Sequence, residues 1–305
     1  MDTLTHALSG ALLGRATAPK GDTPDVIPLR RRIGLGFFAA AFPDIDVVAS
    51  LLSPLSYLYH HRGITHSLLL LPLWALALAW LSTLVWRKGP GWRAYVGIFA
   101  WGIGAHIAGD LITSYGTMVF APLSDARYAI SSTFIIDLWF TGIILAGLIA
   151  AAVWRRTRMP AAVGLVVLVG YVGFQYAMHS EAVSYGTAQA AARGYAGATV
   201  TASPRPVSPY NWMVMIEEGD RWHYAFVNLR RSEPLPPGDG FFATLDAPYQ
   251  PLDRAQWVSV PKFGAPDIES MAREAYTQPA FAFFRWFAEY PTLFGVDRAS
   301  RGDCV

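Results

Sequence analysis

The chain has 305 residues, 53% of them hydrophobic and only 15% charged, with a formal net charge of +2. Soluble domains carry about 25% charged residues, so an ordinary soluble protein is excluded first. The near-neutral balance also argues against a nucleic-acid partner. The single cysteine, Cys304, excludes a disulfide framework or a thiolate metal site within one chain.

The opening MDTLTHALSG has neither a basic n-region nor a strong apolar h-region, so no cleavable signal peptide is expected. LTHALSG predicts a short helix carrying His6. After Arg30, Arg31 and Arg32 comes an apolar segment, 33–52, interrupted by FPDID. Four further runs, 68–86, 95–112, 135–154 and 161–178, each approach the ~20 apolar residues that a bilayer span needs. Beyond His179 the character changes. Prolines gather at Pro204, Pro206 and Pro209, and WMVMIEEGDRWHYAFVNL reads as two strands around a Glu-Gly-Asp turn. PLPPGDG marks a loop, and 268–290 reads as an aromatic-rich, partly helical segment broken at Pro279. The expected fold is an all-α polytopic membrane domain, 1–179, of about five spans plus a short N-terminal helix. A small α+β extramembrane domain, 180–305, follows it. No internal repeat is apparent.

Basic residues give the orientation. Arg30 to Arg32, then Arg87, Lys88 and Arg93, then Arg155, Arg156 and Arg158 fall on one side if 33–52 also crosses. That side should be cytoplasmic, leaving the 113–134 loop and the C-terminal domain outside.

From residue 33 to 178 there is no Glu, and the only acids are Asp44, Asp46, Asp110, Asp125 and Asp137. Carboxylates inside a membrane are costly and rare without a partner or a task. His6, His60, His61, His66 and His106 all precede residue 110. Alternating span direction puts His66, His106, Asp110 and Asp137 at the same, outer end. HIAGD sets His106 and Asp110 at i and i+4 on one helix face, where two ligands can chelate one cation or simply hydrogen-bond each other. Pro43 breaks helical geometry at FPDID. If the backbone is extended there, Asp44 and Asp46 face the same way; alternatively Asp46 caps a restarting helix. In HHRGITHS, His66 and one of His60 and His61 offer imidazole nitrogens, and Arg62 offers a bidentate fork for an anionic oxygen. Thr65 or Ser67 is equally suited to capping the next helix. His6 alone reads as a core or interface histidine. Mixed His/Asp donors without Cys suit Zn²⁺, Mn²⁺ or Fe²⁺ at a site with an open position, where a water is activated near neutral pH.

These pieces together are familiar. TH at 5–6, PDID at 43–46, HRGITHS at 61–67, HIAGDLITSYGT at 106–117, APLS at 121–124 and Asp137 resemble the YdjM-like family of inner-membrane metal-dependent hydrolases. The resemblance covers roughly residues 1–180. It implies a multi-pass protein of a bacterial inner membrane, with a divalent metal, Zn²⁺ first, and an unassigned substrate. A fainter similarity exists to the all-helical, zinc-dependent phospholipase C and nuclease enzymes, whose ligand order is matched by His6, Asp44, His66, His106 and Asp110, with Asp137 as a late acid. The membrane setting, the lack of a further histidine after Asp110, and Asp where those enzymes use a late Glu depart from it.

The resulting expectation is a metal-dependent hydrolase of an ester or phosphoester bond in a lipid or lipid-linked substrate. Its metal ligands are His6, Asp44, His66, His106, Asp110 and Asp137, with Asp46, His61 and Arg62 in catalytic roles and the lipid bilayer as its partner. A transporter would instead spread acids through the bilayer depth and show a repeat. A scaffold or sensor with a structural metal uses the same residues as an enzyme.

Overall fold

A computed structural model describes residues 1–19, 26–236, 238–293, 297–299 and 302–304. It divides into two compact units, Met1–Ala177 and Met178–Val305.

The first unit is helical. Helix α1 (Thr3–Ala16) is N-capped by the Asp2 carboxylate, which accepts from the Thr5 amide. Far from being peripheral, α1 is central. Its small residues Ala7, Gly10, Ala11 and Gly14 are buried, and a Cβ on Gly10 would overlap the Gly36 carbonyl of α2 (Leu29–Ala41). Such glycines let two helix backbones touch. From Phe42 the chain tightens into a 3₁₀ helix, Phe42–Leu51, with Pro43 in its first turn. Of the two alternatives at FPDID, the extended backbone is therefore not found: proline suits a helix start, where its missing amide leaves no acceptor unsatisfied. Helix α3 (Pro54–His60) is capped by Ser53, not by Asp46.

Helices α4 (Leu71–Val85) and α5 (Trp92–Leu111) pack with α2 around Ala39, Ala75, Ala79, Ile103 and Ile107. On the other side, Leu12 of α1 packs with Phe140 and Ile144 of α6 (Leu138–Val153) and Ala161 and Leu168 of α7 (Met159–Ala192). Gly147 and Gly164 make the close approach of α6 to α7. Two helical stretches are long and apolar enough to cross a membrane, Leu29–Leu51 and Met159–Ala192. Pro54–His66 and Leu71–Val85 form a pair bent by 80°, and Leu138–Val153 is a shorter apolar helix.

The second unit contains a five-stranded sheet in which β1 (Thr199–Pro204), β2 (Asn211–Glu218) and β3 (Arg221–Asn228) run antiparallel. Glu218 pairs with Arg221, so the hairpin turns on Gly219 and Asp220, with Gly219 at a positive φ of 55°. Helix α8 (Phe241–Asp246) precedes β4 (Gln250–Pro251), which pairs parallel to β3, while β5 (Val258–Pro261) pairs antiparallel to it. Of the PLPPGDG loop, Pro237 lies outside the described residues. Helices α9 (Glu269–Thr277) and α10 (Ala282–Phe287) are separated by a short 3₁₀ turn at Pro279–Phe281, and β6 (Asp297–Ala299) pairs with β7 (Gly302–Cys304).

Candidate metal centre

Four elements deliver the donors. Helix α1 brings His6, the 3₁₀ helix Asp44 and Asp46, the turn after α3 His61, Arg62 and His66, and α5 brings His106 and Asp110. The 112–137 loop is stitched to the third of these, the Met118 amide donating to the Arg62 carbonyl and the Leu68 amide to the Val119 carbonyl. Ser67 accepts from the Leu69 and Leu70 amides and donates to the Ala121 carbonyl, which closes the turn into α4.

His6, His66, His106 and Asp110 are each at most 1% exposed. Two triads, His6–His106–Asp110 and Asp44–His66–His106, each hold their donor atoms within 4.8 Å of one another and share His106. His66 Nε2 and His106 Nε2 are 2.9 Å apart. Asp110 Oδ2 lies 3.2 Å from the first and 3.3 Å from the second, and Asp44 Oδ1 lies 3.7 and 3.5 Å from them. A tetrahedral ion with donors at about 2.0–2.1 Å has edges of about 3.3–3.4 Å, so the His66, His106 and Asp110 spacings match three corners of one.

Hydrogen bonding fixes the tautomers. His106 Nδ1 faces the Ala40 carbonyl at 2.6 Å, and a carbonyl only accepts, so Nδ1 carries the proton. His66 Nδ1 has Thr65 Oγ1 at 3.0 Å and the Asp46 carboxylate at 3.4 Å. His106 therefore turns its Nε2 lone pair toward His66, and a neutral His66 with its proton on Nδ1 does the same in return. Asp110 Oδ2, buried beside them, makes no hydrogen bond. Lone pairs converging this closely repel unless a cation lies among them, and outer partners on Nδ1 are the usual support of a metal-ligating histidine. The donor set fits a divalent metal.

The remaining residues sort themselves around this core. His6 donates to or accepts from Asp110 Oδ1 at 3.0 Å and stacks on His106 at 3.7 Å. The Met1 ammonium is 2.6 Å from the same oxygen. Asp46 accepts from His61 Nδ1 and from the Arg62 amide, both at 3.0 Å. His61 thus joins the site, whereas His60 is exposed against Tyr59. Arg62 departs from expectation. It sits at a positive φ of 60°, is 2% exposed, and directs its guanidinium to Asp110 Oδ1 at 2.9 Å and to Thr113 Oγ1 at 2.9 Å. Its fork is engaged by the protein itself; only Nε remains buried without a partner.

Asp137 is not brought to the cluster. It N-caps α6 through the Phe140 amide and accepts from Tyr171 and from Gln175 Nε2, so the expectation that it ligates the metal is corrected. Its carboxylate is saturated by hydrogen bonds within its own helix layer. Thr113 and Tyr115, whose ring lies between the guanidinia of Arg62 and Arg127, were not singled out from sequence. Both lie within HIAGDLITSYGT, but only the fold shows that Arg62 reaches them. A cavity of about 710 Å³ opens beside the cluster, lined by Asp44, His61 and Arg62 and by the apolar Phe38, Ile45, Val47 and Leu58.

Residues 1–182 match the family model described as YdjM inner membrane protein. The chain belongs to the YdjM inner membrane protein family. Every donor named above lies within the matched region, and most of the sheet-containing unit lies outside it. A stretch of 178 residues is 26% identical to a Bacillus subtilis (strain 168) protein, Uncharacterized protein YfhP, covering 56% of this chain and 52% of that one. The chain thus spans about half the length of that relative. No solved structure matches this YdjM-family chain.

Proposed function

We propose that this YdjM-family chain is a multi-pass, metal-dependent hydrolase that cleaves an ester or phosphoester bond in a lipid or lipid-linked substrate. The observation that carries the reading is the pair of buried Nε2 atoms of His66 and His106, 2.9 Å apart, beside an unpartnered Asp110 oxygen. Asp44, His66, His106 and Asp110 hold the ion, with His6 joined to them through Asp110 and His106. When bound, a divalent cation, Zn²⁺ first, supplies Lewis acidity and an activated water at neutral pH.

The chain's own groups do the rest. Asp46 fixes His61 with its Nδ1 proton inward, leaving Nε2 to move a proton for the reacting group. Arg62 holds Asp110 in place and keeps one N–H for a substrate oxygen. Four donors around an ion also describe a closed, structural site. What favours an open one is the cavity reaching Asp44, His61 and Arg62.

The bent pair, α5 and α6 complete a reading of about five spans. Arg15 donates to the Arg155 and Thr157 carbonyls, and Arg32 donates to Thr17, at the end of α1 away from His6. Nine residues along a helix separate Arg15 from His6 by about 13 Å. This supports basic loops on the cytoplasmic side, with the metal centre and the C-terminal unit toward the outside. The test is elemental analysis of detergent-purified protein beside His106→Ala and Asp110→Ala, followed by a phospholipid and phosphoester panel. Loss of metal and of turnover in both variants is expected. Full metal content in both variants removes the ligand assignment, and bound metal without turnover on any substrate moves the site to a structural role.

A further inference from the structure

The cavity beside the metal centre has both polar and apolar lining, and part of its apolar lining is also exposed on the protein surface. Phe38, Ile45 and Val47 are 51%, 53% and 53% exposed, and the same segment runs on to Leu51 and Leu52, both above 80% exposed. In water a contiguous apolar surface of this kind is a liability. In an inner membrane it is the surface that lipid chains cover. Irregular backbone such as this 3₁₀ helix is tolerated at membrane depth where it lines a protein cavity. The cavity wall is thus continuous with the lipid-facing surface of the same segment.

In the polar lining, Arg62 Nε–H is buried without an acceptor while the rest of the guanidinium is fixed to Asp110 and Thr113. An orphaned buried donor costs about 1–3 kcal/mol, and a ligand oxygen removes that cost. A guanidinium N–H beside a dication site prefers an anionic phosphoryl oxygen to a neutral carbonyl. The volume lies inside the range of about 300–1,000 Å³ usual for ligand sites.

We propose that this cavity is a substrate channel open sideways to the bilayer, which takes a phosphate-bearing membrane amphiphile. The phosphoryl group meets Arg62 Nε, and the hydrocarbon chain lies along Phe38, Ile45, Val47 and Leu58. The identity of the reacting end rests on the hydrolase reading; the binding does not.

The test places the full chain in lipid nanodiscs with lysophosphatidic acid carrying a photoactivatable group in its chain. Labelling concentrates in residues 38–58. Unlabelled lysophosphatidic acid suppresses it, while inorganic phosphate and glycerol phosphate at the same concentration do not. Val47→Trp and Leu58→Trp, which add bulk to the apolar lining, lower labelling at least tenfold with metal content unchanged. Arg62→Lys keeps a positive charge beside Asp110, loses the Nε donor and weakens competition by the amphiphile about tenfold. Uniform labelling of α6 and α7, equal competition by inorganic phosphate, or full labelling in metal-loaded Trp variants overturns the channel. Specific labelling without turnover leaves the channel standing and ends the hydrolase reading. Turnover of soluble phosphoesters without specific labelling does the reverse.

Discussion

Asp110 and Asp137 look alike in the sequence, each an acid at the end of an apolar run, and the structure assigns them different work. Converting each to Asn separates metal binding from stability. In Asp110→Asn, Arg62 loses its carboxylate partner at 2.9 Å, with both side chains at most 3% exposed. Breaking such a buried pair costs about 3–5 kcal/mol. The variant should also lose linkage to metal, which stabilises the wild type by about 4 kcal/mol at free metal 1,000 times Kd. In Asp137→Asn the N-cap survives, since Asn caps as well as Asp. What weakens is the set of charge-assisted bonds from Gln175 Nε2 at 2.6 Å and Tyr171 at 3.0 Å, worth about 1.5–3 kcal/mol. Unfolding in detergent with and without Zn²⁺, alongside elemental analysis, should show both variants destabilised and only Asp137→Asn still shifted upward by metal. Equal metal responses in the two variants would refute the assignment of Asp110 to the centre and Asp137 to the helix cap.

Three further outcomes follow from named contacts. His61→Ala should lower turnover about 10–100-fold while metal is retained; Asp46→Asn should lower both turnover and metal affinity, because Asp46 supports His61 and also His66 Nδ1 at 3.4 Å, and the double variant should lose little more than Asp46→Asn alone. Gly10→Ala should lower the unfolding midpoint, since its Cβ enters the Gly36 carbonyl and overpacking costs about 1–3 kcal/mol, whereas Gly34→Ala, which meets nothing within 4 Å, should be neutral. In the C-terminal unit, burial and then the Glu289 charge push the Tyr290 phenol up to about 12 from its ordinary 10.0. A folded value above the unfolded one stabilises below pH 10, and that stability is lost as pH rises from 10 to about 12. The loss is at most about 3 kcal/mol at ~1.4 kcal/mol per unit; unfolding followed against pH should show it in the wild type and not in Tyr290→Phe.

The convergence of these histidines and acids was legible because charge in apolar sequence is expensive and therefore conspicuous, as with His66 before one run and His106 and Asp110 within another. The β2–β3 hairpin announced itself by Gly219, and the break before α10 by Pro279. The central place of α1 was not legible, because its buried residues are mostly Ala and Gly, with Leu12 the one large aliphatic among them. Neither was the geometry at Pro43: proline both interrupts a helix and starts one, and only packing decides. Asp137 and Arg62 misled for a shared reason. Their partners, Gln175 at 38 positions and Asp110 at 48 positions further on, are tertiary, so local pattern assigned them to a ligand set and to an open anion fork.

Charge balance sets how many ions the centre should hold. With His6, His66 and His106 neutral, three carboxylates, Asp44, Asp46 and Asp110, face one guanidinium, Arg62, leaving two negative charges. The Met1 ammonium, 2.6 Å from Asp110 Oδ1, lowers that excess to one, while the Asp2 carboxylate is engaged at the cap of α1. Buried uncompensated charge is costly; one divalent cation turns the excess into a single positive charge, while a second would leave three, needing anions. Elemental analysis of ligand-free protein should therefore return about one divalent metal per chain. Two per chain without a bound anion would mean that the charge assignment, and with it the neutral histidines facing one another at Nε2, is wrong.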